Sequence, residues 1–384
     1  MKVTILLGSF PWKPSGGAKV ALEYANHLAA SGSEVEVLFA LRMPNWTRPE
    51  RPPLRRRLKG ALLRVAERWF QPRPRWFQLD PAVRTRIVPE YRPQNIPDAD
   101  AVFATFWPTA EVVADLPKSK GRGYYLIQHL EDWAGEAERV DRTWRFPLEK
   151  LFVAKWLYKR ALAMGLPSEQ LHYVPNSIDA ARFAARSPHL GRGPRVAMLY
   201  SEAAWKGAAD GLAALELARE KVPDLEACLF GVWSRPRDLP EWIEYRCRPS
   251  HDELVEEVYG GASIFMCPSW VEGWGLTGAE ALVAGCALVT TDNGGAGDYA
   301  SDGRTALVVP PRDPAAMARA IVRLIKAPEL RNRLAAQGGE RMQRFTADRS
   351  LRHLDRILDA ARPELRRARG RAGLGGELGQ RHVV

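Results

Sequence analysis

Residues 268–285 read PSWVEGWGLTGAEALVAG and follow an apolar run that ends at Cys267. The apolar run predicts a buried strand, the glycines after it predict a loop, and the residues after Thr277 predict a helix. A loop between a strand and a helix presents backbone N–H groups that can bind a diphosphate. One carboxylate, Glu272, lies in this loop, and a second, Glu280, lies in the helix. The segment therefore predicts a phosphate-binding strand–loop–helix unit.

Glu280 has two interpretations. Residues 277–280 read TGAE, which fits a capping box, in which the glutamate side chain accepts a hydrogen bond from the backbone N–H of the cap residue. Glu272 lies before the helix and has no such structural role, so contact with a ligand is the favoured interpretation for it. Both carboxylates are candidates for ligand binding.

The sequence around this loop alternates predicted strands with predicted helices. Such alternation is typical of parallel, doubly wound α/β sheets. In this half of the chain the predicted strands are 195–200, 225–230, 243–247 and 264–267, and the predicted helices are 208–221 and 252–259.

The N-terminal half begins in the same way. An apolar strand Val3–Leu7 precedes a loop with Gly16 and Gly17, a helix that Gly32 ends, and an alternating strand Glu34–Phe39. The two glycines place backbone N–H groups near the start of the helix, where a phosphate is favoured. A glycine pair that only forms a tight turn is the alternative.

Polar residues follow another predicted strand of this half, over 124–128. His129 and Glu131 come directly after it, at the edge where open α/β sheets bind their ligands. Either side chain is a candidate for orienting a hydroxyl group or for transferring its proton.

A length of 384 residues exceeds one typical domain and predicts two domains that face a cleft. We expect an N-terminal domain over 1–186, a C-terminal domain over 187–348, a C-terminal helix over 349–363 and a mobile basic tail over 364–384. The boundary follows from the Gly-, Arg- and Pro-rich stretch 187–194, which is typical of a linker.

The composition is that of a globular protein, with 46% apolar and 26% charged residues. We find no apolar run of about 18 residues that would span a membrane and no signal-peptide pattern, so we expect a cytoplasmic protein. Its four cysteines occur singly, which predicts buried core thiols rather than a metal or redox site: Cys228, Cys247, Cys267 and Cys286.

The net charge of +11 indicates an anionic partner or surface. The positive charge is concentrated in 48–75 and in the tail. Residues 54–70 have apolar side chains at helical spacing between arginines, and with Trp76 and Phe77 this segment, 54–77, predicts a helix on the inner face of an anionic membrane. A helix packed on its own domain is the alternative. No nucleic-acid-binding motif accompanies the charge, so we expect no nucleic-acid partner.

Residues 268–285 resemble the E-x7-E signature of glycosyltransferase family 4, which comprises retaining GT-B glycosyltransferases and includes enzymes of bacterial cell-surface polysaccharide synthesis. The resemblance covers about 171–345 and, more loosely, Gly16 and Gly17. It implies an α/β fold of GT-B type with two Rossmann-like domains facing a cleft. Five further segments carry it: 174–179 (VPNSID), 205–207 (WKG), 230–231 (FG), 292–295 (DNGG) and 307–313 (LVVPPRD).

The resemblance also implies a role for each site residue. Glu280 would bind the ribose hydroxyls of a nucleotide-sugar donor, Glu272 would bind hydroxyls of the transferred sugar, and Lys206 would neutralise the leaving phosphate. Neither a metal nor another cofactor is implied, and the sequence shows no DxD-type pair suited to binding a divalent cation between the domains. The N–H groups that would face the donor belong to Gly16, Gly17, Gly273, Trp274, Gly275, Leu276 and Thr277.

Residues 128–131 (QHLE) resemble a Q-x-Y-E-like element of enzymes that act on cell-surface polysaccharides, some of which use rhamnosyl donors. This resemblance implies that His129 or Glu131 faces the acceptor, and it suggests deoxythymidine-linked rhamnose as a donor. Two departures occur. Ser177 replaces a family glycine, and 200–205 lacks the arginine that usually precedes the K-G element, so Arg248 is a candidate replacement.

The predicted function is that of a metal-independent hexosyltransferase that moves a sugar, with retention, to a glycan or lipid-linked acceptor. Retention is attributed in this family to front-face attack, with the leaving phosphate taking the acceptor proton. A sugar-nucleotide epimerase or a phosphorylase of the same fold is one alternative. A non-catalytic basic membrane-binding module is another, but it leaves Glu272 and Glu280 unexplained.

Overall fold

The computed structural model describes residues 1–43, 71–132, 135–184 and 194–361. The described residues fold as two compact units. The first contains 1–153, 158–174 and 351–361 without the gaps, and the second contains 154–157 and 175–350. The predicted helix over 54–70, most of the predicted linker and the basic tail lie outside the described residues.

The main segment of the second unit begins at Pro175, whereas the sequence predicts the boundary at residue 187. The backbone N–H of Ile178 donates to the Phe345 carbonyl over 2.9 Å, and the Ser350 hydroxyl donates to the Pro175 carbonyl. These bonds attach the turn after Val174 to the second unit, which explains the difference.

The described part of the first unit contains a parallel sheet with the strand order β3-β2-β1-β4-β5-β6-β7. Its interior strand β1 is mostly apolar and is buried from Val3 to Leu7, as a strand covered on both faces requires. Val3 pairs with Val35 of β2 on one side and with Ala101 of β4 on the other. The strands are β1 Lys2–Leu7, β2 Glu34–Arg42, β3 Arg84–Glu90, β4 Ala101–Ala104, β5 Arg122–Ile127, β6 Glu149–Phe152 and β7 Leu171–Tyr173.

Helices connect these strands. The first helix begins where the Ser15 hydroxyl accepts a hydrogen bond from the Ala18 N–H, and it ends before Gly32, which has a positive φ of 81°. One face of this helix, from Val20 to Leu28, is buried against the sheet. The helices are α1 Gly16–Ala30, α2 Trp107–Ala114, α3 Ala137–Trp144 and α4 Lys155–Ala163, and a further helix covers 347–361.

The second unit has a parallel sheet with the order β10-β9-β8-β11-β12-β13 among its described residues. Met198, Leu229 and Met266 from neighbouring strands pack in its core with Ile321 and Leu324. The strands are β8 Arg195–Leu199, β9 Glu226–Gly231, β10 Ile243–Cys247, β11 Ile264–Cys267, β12 Ala287–Thr291 and β13 Leu307–Val309. The helices are α5 Ala180–Phe183, α6 Ala208–Lys221, α7 Leu276–Val283, α8 Pro314–Lys326 and α9 Pro328–Met342.

Each sheet has one point at which the chain order reverses. In the first sheet it lies between β1 and β4, and in the second between β8 and β11. The loops that leave such a pair of strands diverge and open a crevice at their carboxyl ends, where ligands of open α/β sheets bind. The predicted α/β fold with two Rossmann-like sheets is therefore confirmed, and two reversal points mark candidate sites.

One local prediction is wrong, and one predicted helix is present but is not an ordinary α-helix. Cys247 is exposed at the end of β10, whereas the other three cysteines are buried as predicted. The predicted helix over 252–259 is a π-helix at Glu253–Tyr259, and its wide turn places the Gly260 N–H 2.7 Å from the Val255 carbonyl. None of the described helices is long and apolar enough to cross a membrane.

Candidate functional site

The reversal point of the second sheet brings two loops together. The loop after β8 contains Lys206, and the loop after β11 contains Glu272. The backbone N–H of Trp270 donates to the Trp205 carbonyl over 2.7 Å and so joins the loops. Gly207 has a positive φ of 63°, and a Cβ at this position would overlap the Pro268 carbonyl oxygen. Only glycine therefore permits this close approach.

Glu272 and Lys206 form an ion pair at this point. The Lys206 ammonium lies 2.7 and 2.9 Å from the two carboxylate oxygens of Glu272. The Ser269 hydroxyl donates to one of the same oxygens over 2.7 Å, and the Glu272 N–H donates to the Asn293 carbonyl. Glu272 is 7% exposed. Two residues that the sequence singled out are thus in direct contact, and sequence reasoning missed Ser269.

The environment of Lys206 has two opposing effects on its pKa. Burial lowers the pKa, but the charge of Glu272 and its hydrogen bond more than offset burial, so the pKa lies above its ordinary value. Lys206 therefore stays positively charged at neutral pH. A buried pair of this kind is costly to break, since removal of one partner leaves the other charge uncompensated, at about 3–5 kcal/mol.

Glu280 does not form the predicted capping box. Helix α7 begins at Leu276, with Gly275 at the cap position in the left-handed region at a φ of 87° and without a side-chain cap. Because the helix begins before Thr277, Glu280 lies beyond the positions that a capping box uses. It is buried and accepts a hydrogen bond of 3.0 Å from the Tyr259 hydroxyl.

The loop 273–277 leads into α7. The N-terminus of a helix favours an anion. The first turn of α7 contains no acidic residue that would oppose one. The Tyr299 hydroxyl donates to the Gly275 carbonyl over 2.6 Å. The Trp274 ring is buried against Tyr299 and Phe345, at centroid distances of 5.2 and 5.5 Å. The Trp274 side chain thus anchors the loop, while Leu276 and Thr277 are partly exposed.

Trp156 also fastens this loop and was missed by sequence reasoning. Its indole N–H donates to the Gly273 carbonyl over 2.9 Å. A Cβ at Gly294 would lie 2.9 Å from its ring, so the glycine admits the indole. The sequence around Trp156 does not predict this hydrogen bond, because Trp156 and Gly273 lie far apart in the chain.

Arg248 lies after β10 in a different setting from the ion pair. It has a positive φ of 52°, its N–H donates to the Gly231 carbonyl, and its guanidinium Nε donates to the Val232 carbonyl over 2.9 Å. The side chain is exposed. These bonds hold Arg248 on the loop after β9, and its role toward a phosphate stays a prediction.

The loop after β5 in the first unit contains His129 and Glu131. Glu131 has a positive φ of 63° and is 5% exposed. Its carboxylate accepts hydrogen bonds from the Trp107 N–H over 2.8 Å and from the Tyr125 hydroxyl over 3.2 Å. The carboxylate of Glu131 thus fixes the loop onto α2 and β5, and the partly exposed His129 precedes it.

Burial strongly affects the titration of Glu131. It raises the pKa of this carboxyl to about 8, although the bonds from Trp107 and Tyr125 act in the opposite direction. The backbone N–H of Glu131 also approaches Nδ1 of His129 at 3.4 Å. Glu131 is therefore largely protonated at neutral pH.

Gly16 and Gly17 occupy the start of α1 and are exposed. The Gln128 side-chain amide donates to the Gly17 carbonyl over 3.1 Å. This bond joins the loop after β1 to the loop after β5. The structure therefore places most of the predicted site residues at two sheet edges, one in each unit, while Arg248 is held on the loop after β9.

Comparison with known proteins identifies part of the chain. Residues 193–341 match the family described as glycosyl transferases group 1. A glycogen synthase of Mycobacterium tuberculosis is 30% identical over 195 residues, which are 47% of this chain and 45% of that protein. The chain thus spans less than half the length of this curated relative.

Solved structures share the fold over nearly the whole chain. The sucrose-phosphate synthase of Thermosynechococcus elongatus superposes with a TM-score of 0.72 at 18% identity, covering 94% of this chain and 99% of that one. The Anabaena protein HepE, in complex with UDP-glucose, gives a TM-score of 0.70 at 15% identity, covering 94% and 100%. At these identities the likeness concerns the fold alone. The chain therefore has the GT-B fold and carries a glycosyl transferases group 1 domain over residues 193–341.

Proposed function

We propose that this chain is a glycosyltransferase that moves a sugar from a nucleoside-diphospho-sugar to a glycan or lipid-linked acceptor. The observation that carries the proposal is the contact of Lys206, Glu272 and Ser269 at the reversal point of the second sheet. An ammonium group suits a diphosphate, and a carboxylate beside it suits the hydroxyls of a sugar. The match of 193–341 to a glycosyltransferase family supports the same reading.

The start of α7 and Lys206 supply the positive potential for the diphosphate. Negative charge grows on the leaving phosphate as the bond to the sugar breaks, so groups that are already oriented toward it lower the barrier. In the present structure Glu272 accepts from Lys206 and Ser269. In the proposed complex, sugar hydroxyls become further donors to Glu272, and Lys206 turns toward the phosphate.

Glu280 is proposed to accept hydrogen bonds from the donor ribose. The Tyr259 hydroxyl orients its carboxylate from within the core. Burial, and next the neighbouring Glu280, raise the pKa of Tyr259 well above its ordinary range. The phenol thus keeps its proton and remains a donor at all physiological pH values.

The finer parts of the proposal are retention of configuration, independence of metal and a role in cell-surface polysaccharide synthesis. Lys206 and the helix N-terminus supply charge that a metal supplies in other transferases. UDP-glucose, which HepE holds in its crystal structure, is the first donor to test, followed by deoxythymidine-linked rhamnose. His129 and Glu131 are retained as the proposed residues of the acceptor side.

Donor binding provides the primary test. Thermal stabilisation of the purified chain is measured with UDP-, GDP- and dTDP-linked sugars and repeated on Glu280→Ala. Glu216→Ala, on the exposed face of α6, is the matched control. We expect a shift with one nucleotide class that Glu280→Ala loses and Glu216→Ala keeps. A shift that both variants keep, or no shift with any donor, would contradict the assigned pocket.

Turnover is then followed by NMR with and without a carbohydrate acceptor and with EDTA. An α-linked product from an α-linked donor, formed equally in EDTA, is the expected result. Isomerisation of the donor alone would indicate an epimerase, and phosphate-dependent release of a sugar phosphate would indicate a phosphorylase.

Attachment to the inner face of a membrane is a separate proposal. The segment 54–77 supports it by composition, although only 71–77 is described by the structure. Sedimentation with vesicles of anionic lipid tests it. The protein should pellet with the vesicles at low salt and be released at high salt, and protein that stays in the supernatant at low salt would contradict it.

A further inference from the structure

The reversal point of the first sheet has features that the donor site does not use. The loops after β1 and β4 leave it in different directions, and Gly8 of the first loop lies against Phe106 of the second, where a Cβ at Gly8 would be 3.6 Å from the ring. The bond from Gln128 to Gly17 adds the loop after β5. Three loops therefore meet at the carboxyl edge of this sheet, in the position where ligands bind.

Trp12 lies in the first of these loops and is 74% exposed. An indole is among the largest side chains with an apolar ring, and it commonly buries about 150–250 Å² of surface in a folded protein or an interface. One edge of the Trp12 ring nevertheless packs against the protein. The ring lies edge-on to Phe10 at 4.6 Å, and Phe10 lies edge-on to the fully buried Phe39 at 5.1 Å. A row of three rings thus leads from the core to an exposed indole.

A second segment holds the same loop. The indole N–H of Trp76 donates to the Pro11 carbonyl over 2.7 Å. The segment that carries Trp76 is itself tied together by the Arg73 guanidinium, which donates to the carbonyls of Leu79, Asp80, Pro81 and Val83. Trp12 is therefore presented to solvent on a braced loop, so a partner would not have to order it on binding.

We propose that Trp12 is a stacking platform for a pyranose ring of the acceptor, so that the acceptor is a glycan; this inference rests on the proposed function. One face of a pyranose carries polarised C–H groups, which are attracted to the electron-rich face of an indole. Hydroxyls at the rim of the sugar require polar neighbours. Gln128 and the exposed Ser15 lie on the loops that meet at this edge.

The surroundings distinguish a sugar from a lipid surface. A membrane-inserted loop presents a band of apolar side chains, whereas the residues after Trp12 are Lys13, Pro14, Ser15 and two exposed glycines. Insertion into the acyl region would remove water from the polar backbone at these glycines, which is unfavourable. A sugar leaves the polar groups hydrogen-bonded.

The test uses the full chain labelled with 5-fluorotryptophan and observed by ¹⁹F NMR. The Trp12 resonance is assigned, among those of the 13 tryptophans, as the one that Trp12→Phe removes. Maltotriose, mannotriose and chitotriose are the sugar probes, and phosphatidylglycerol vesicles are the lipid probe. The spectra are recorded at high salt, where the vesicle binding proposed for 54–77 is released. We expect at least one trisaccharide to shift the Trp12 resonance in a saturable way and the vesicles to leave it unchanged.

Variants complete the test. Trp12→Tyr should keep binding of the active trisaccharide within about threefold and Trp12→Ala should weaken it about tenfold, while Trp233→Ala, an exposed tryptophan of the second unit, should leave it unchanged. A Trp12 resonance that only vesicles shift would overturn the proposal, as would no response to any probe. The readout needs no turnover, so its failure is distinct from a failure of donor binding.

Discussion

Two buried glutamates, Glu272 in the second unit and Glu131 in the first, occupy similar places and differ in their partners. Each lies in a loop at the carboxyl edge of a parallel sheet. Glu272 contacts the Lys206 ammonium, whereas the hydrogen bonds to Glu131 come from a backbone N–H and the phenol of Tyr125, which carry no charge. The comparison teaches that a buried glutamate beside a cation keeps its charge, whereas Glu131, whose hydrogen-bond donors among the described residues are uncharged, is largely protonated at neutral pH and holds its loop in place.

The largest expected effect comes from breaking the ion pair. Lys206→Met should lower kcat/KM for the donor by about 10²–10³-fold, because the variant lacks the ammonium that would neutralise the negative charge of the leaving phosphate. It should also lower the free energy of unfolding by about 3 kcal/mol, since Glu272 then remains buried without its cation. Steady-state kinetics and urea denaturation measure the two effects.

The double variant Lys206→Met/Glu272→Gln separates these effects. It should recover most of the lost stability, since no uncompensated charge remains, and it should recover none of the activity. If the double variant were as active as the wild type, the pair would have only a structural role.

A smaller effect is expected from pH at Glu131. Its pKa is about 8 in the folded chain and near 4.5 in the unfolded chain. The folded state therefore holds more protons between these values, so the contribution of Glu131 to stability is fully present below about pH 4.5 and is lost as the pH rises through 8. The free energy of unfolding of Glu131→Gln, relative to that of the wild type, should thus rise between pH 5 and 9 by on the order of 2 kcal/mol. Melting temperatures of the two proteins across this pH range measure the change.

The pH experiment has a direct control. Glu149→Gln changes a different carboxyl group: burial raises its pKa, but His172 and Arg122 more than offset burial, so the pKa lies below its ordinary value. The difference in stability between Glu149→Gln and the wild type should therefore change in the acidic range instead. A pH-independent difference for Glu131→Gln would show that this carboxyl does not titrate as the structure indicates.

Trp156→Phe is expected to weaken donor binding about tenfold with a loss of about 1 kcal/mol in stability. The phenyl ring keeps the contact with Gly294 but lacks the N–H that fastens the Gly273 carbonyl. Calorimetric titration with the donor identified above measures the effect. Trp242→Phe, at a ring that contacts Arg219 instead, should bind donor as the wild type does, and equal loss in both variants would count against a positioning role for Trp156.

The smallest effect compares two tyrosines that each donate to a buried glutamate. Tyr259→Phe removes the bond to Glu280 and should weaken donor binding about threefold to fivefold. Tyr125→Phe removes the equivalent bond to Glu131 and should leave donor affinity unchanged. If Tyr259→Phe and Tyr125→Phe weakened donor binding equally, the proposal that Glu280 binds the donor and Glu131 does not would be contradicted.

Much of the fold was predictable because local patterns determine it. Helix Ala208–Lys221 and the strands Ile243–Cys247 and Ile264–Cys267 have the predicted bounds. Apolar runs between turn residues are a local signal. Helix α7 begins at Leu276, before the predicted start after Thr277, because its first turn depends on contacts with distant residues, such as the hydrogen bond from the Tyr299 hydroxyl to the Gly275 carbonyl.

The candidate site was predictable in part. Glu272, Glu280 and Lys206 were identified from motifs, and the structure brings Lys206 and Glu272 into contact. The capping box of Glu280 was wrong because a motif of four residues does not determine the register at which a helix begins. Ser269 and Trp156 were missed because their hydrogen bonds to the loop leave no pattern that sequence spacing can reveal.

By itself, the sequence determined the two alternating α/β units, the positions of the glycine loops and the residue types available for binding a phosphate. These depend on periodicity, turn propensity and charge, which are properties of short segments. Only the tertiary structure decided that Glu272 contacts a cation while the described donors to Glu131 are an uncharged N–H and a phenol, and that the indole of Trp12 is exposed on a braced loop. Partners and exposure are set by residues far apart in the chain, because packing of the whole unit determines which side chains lose contact with water.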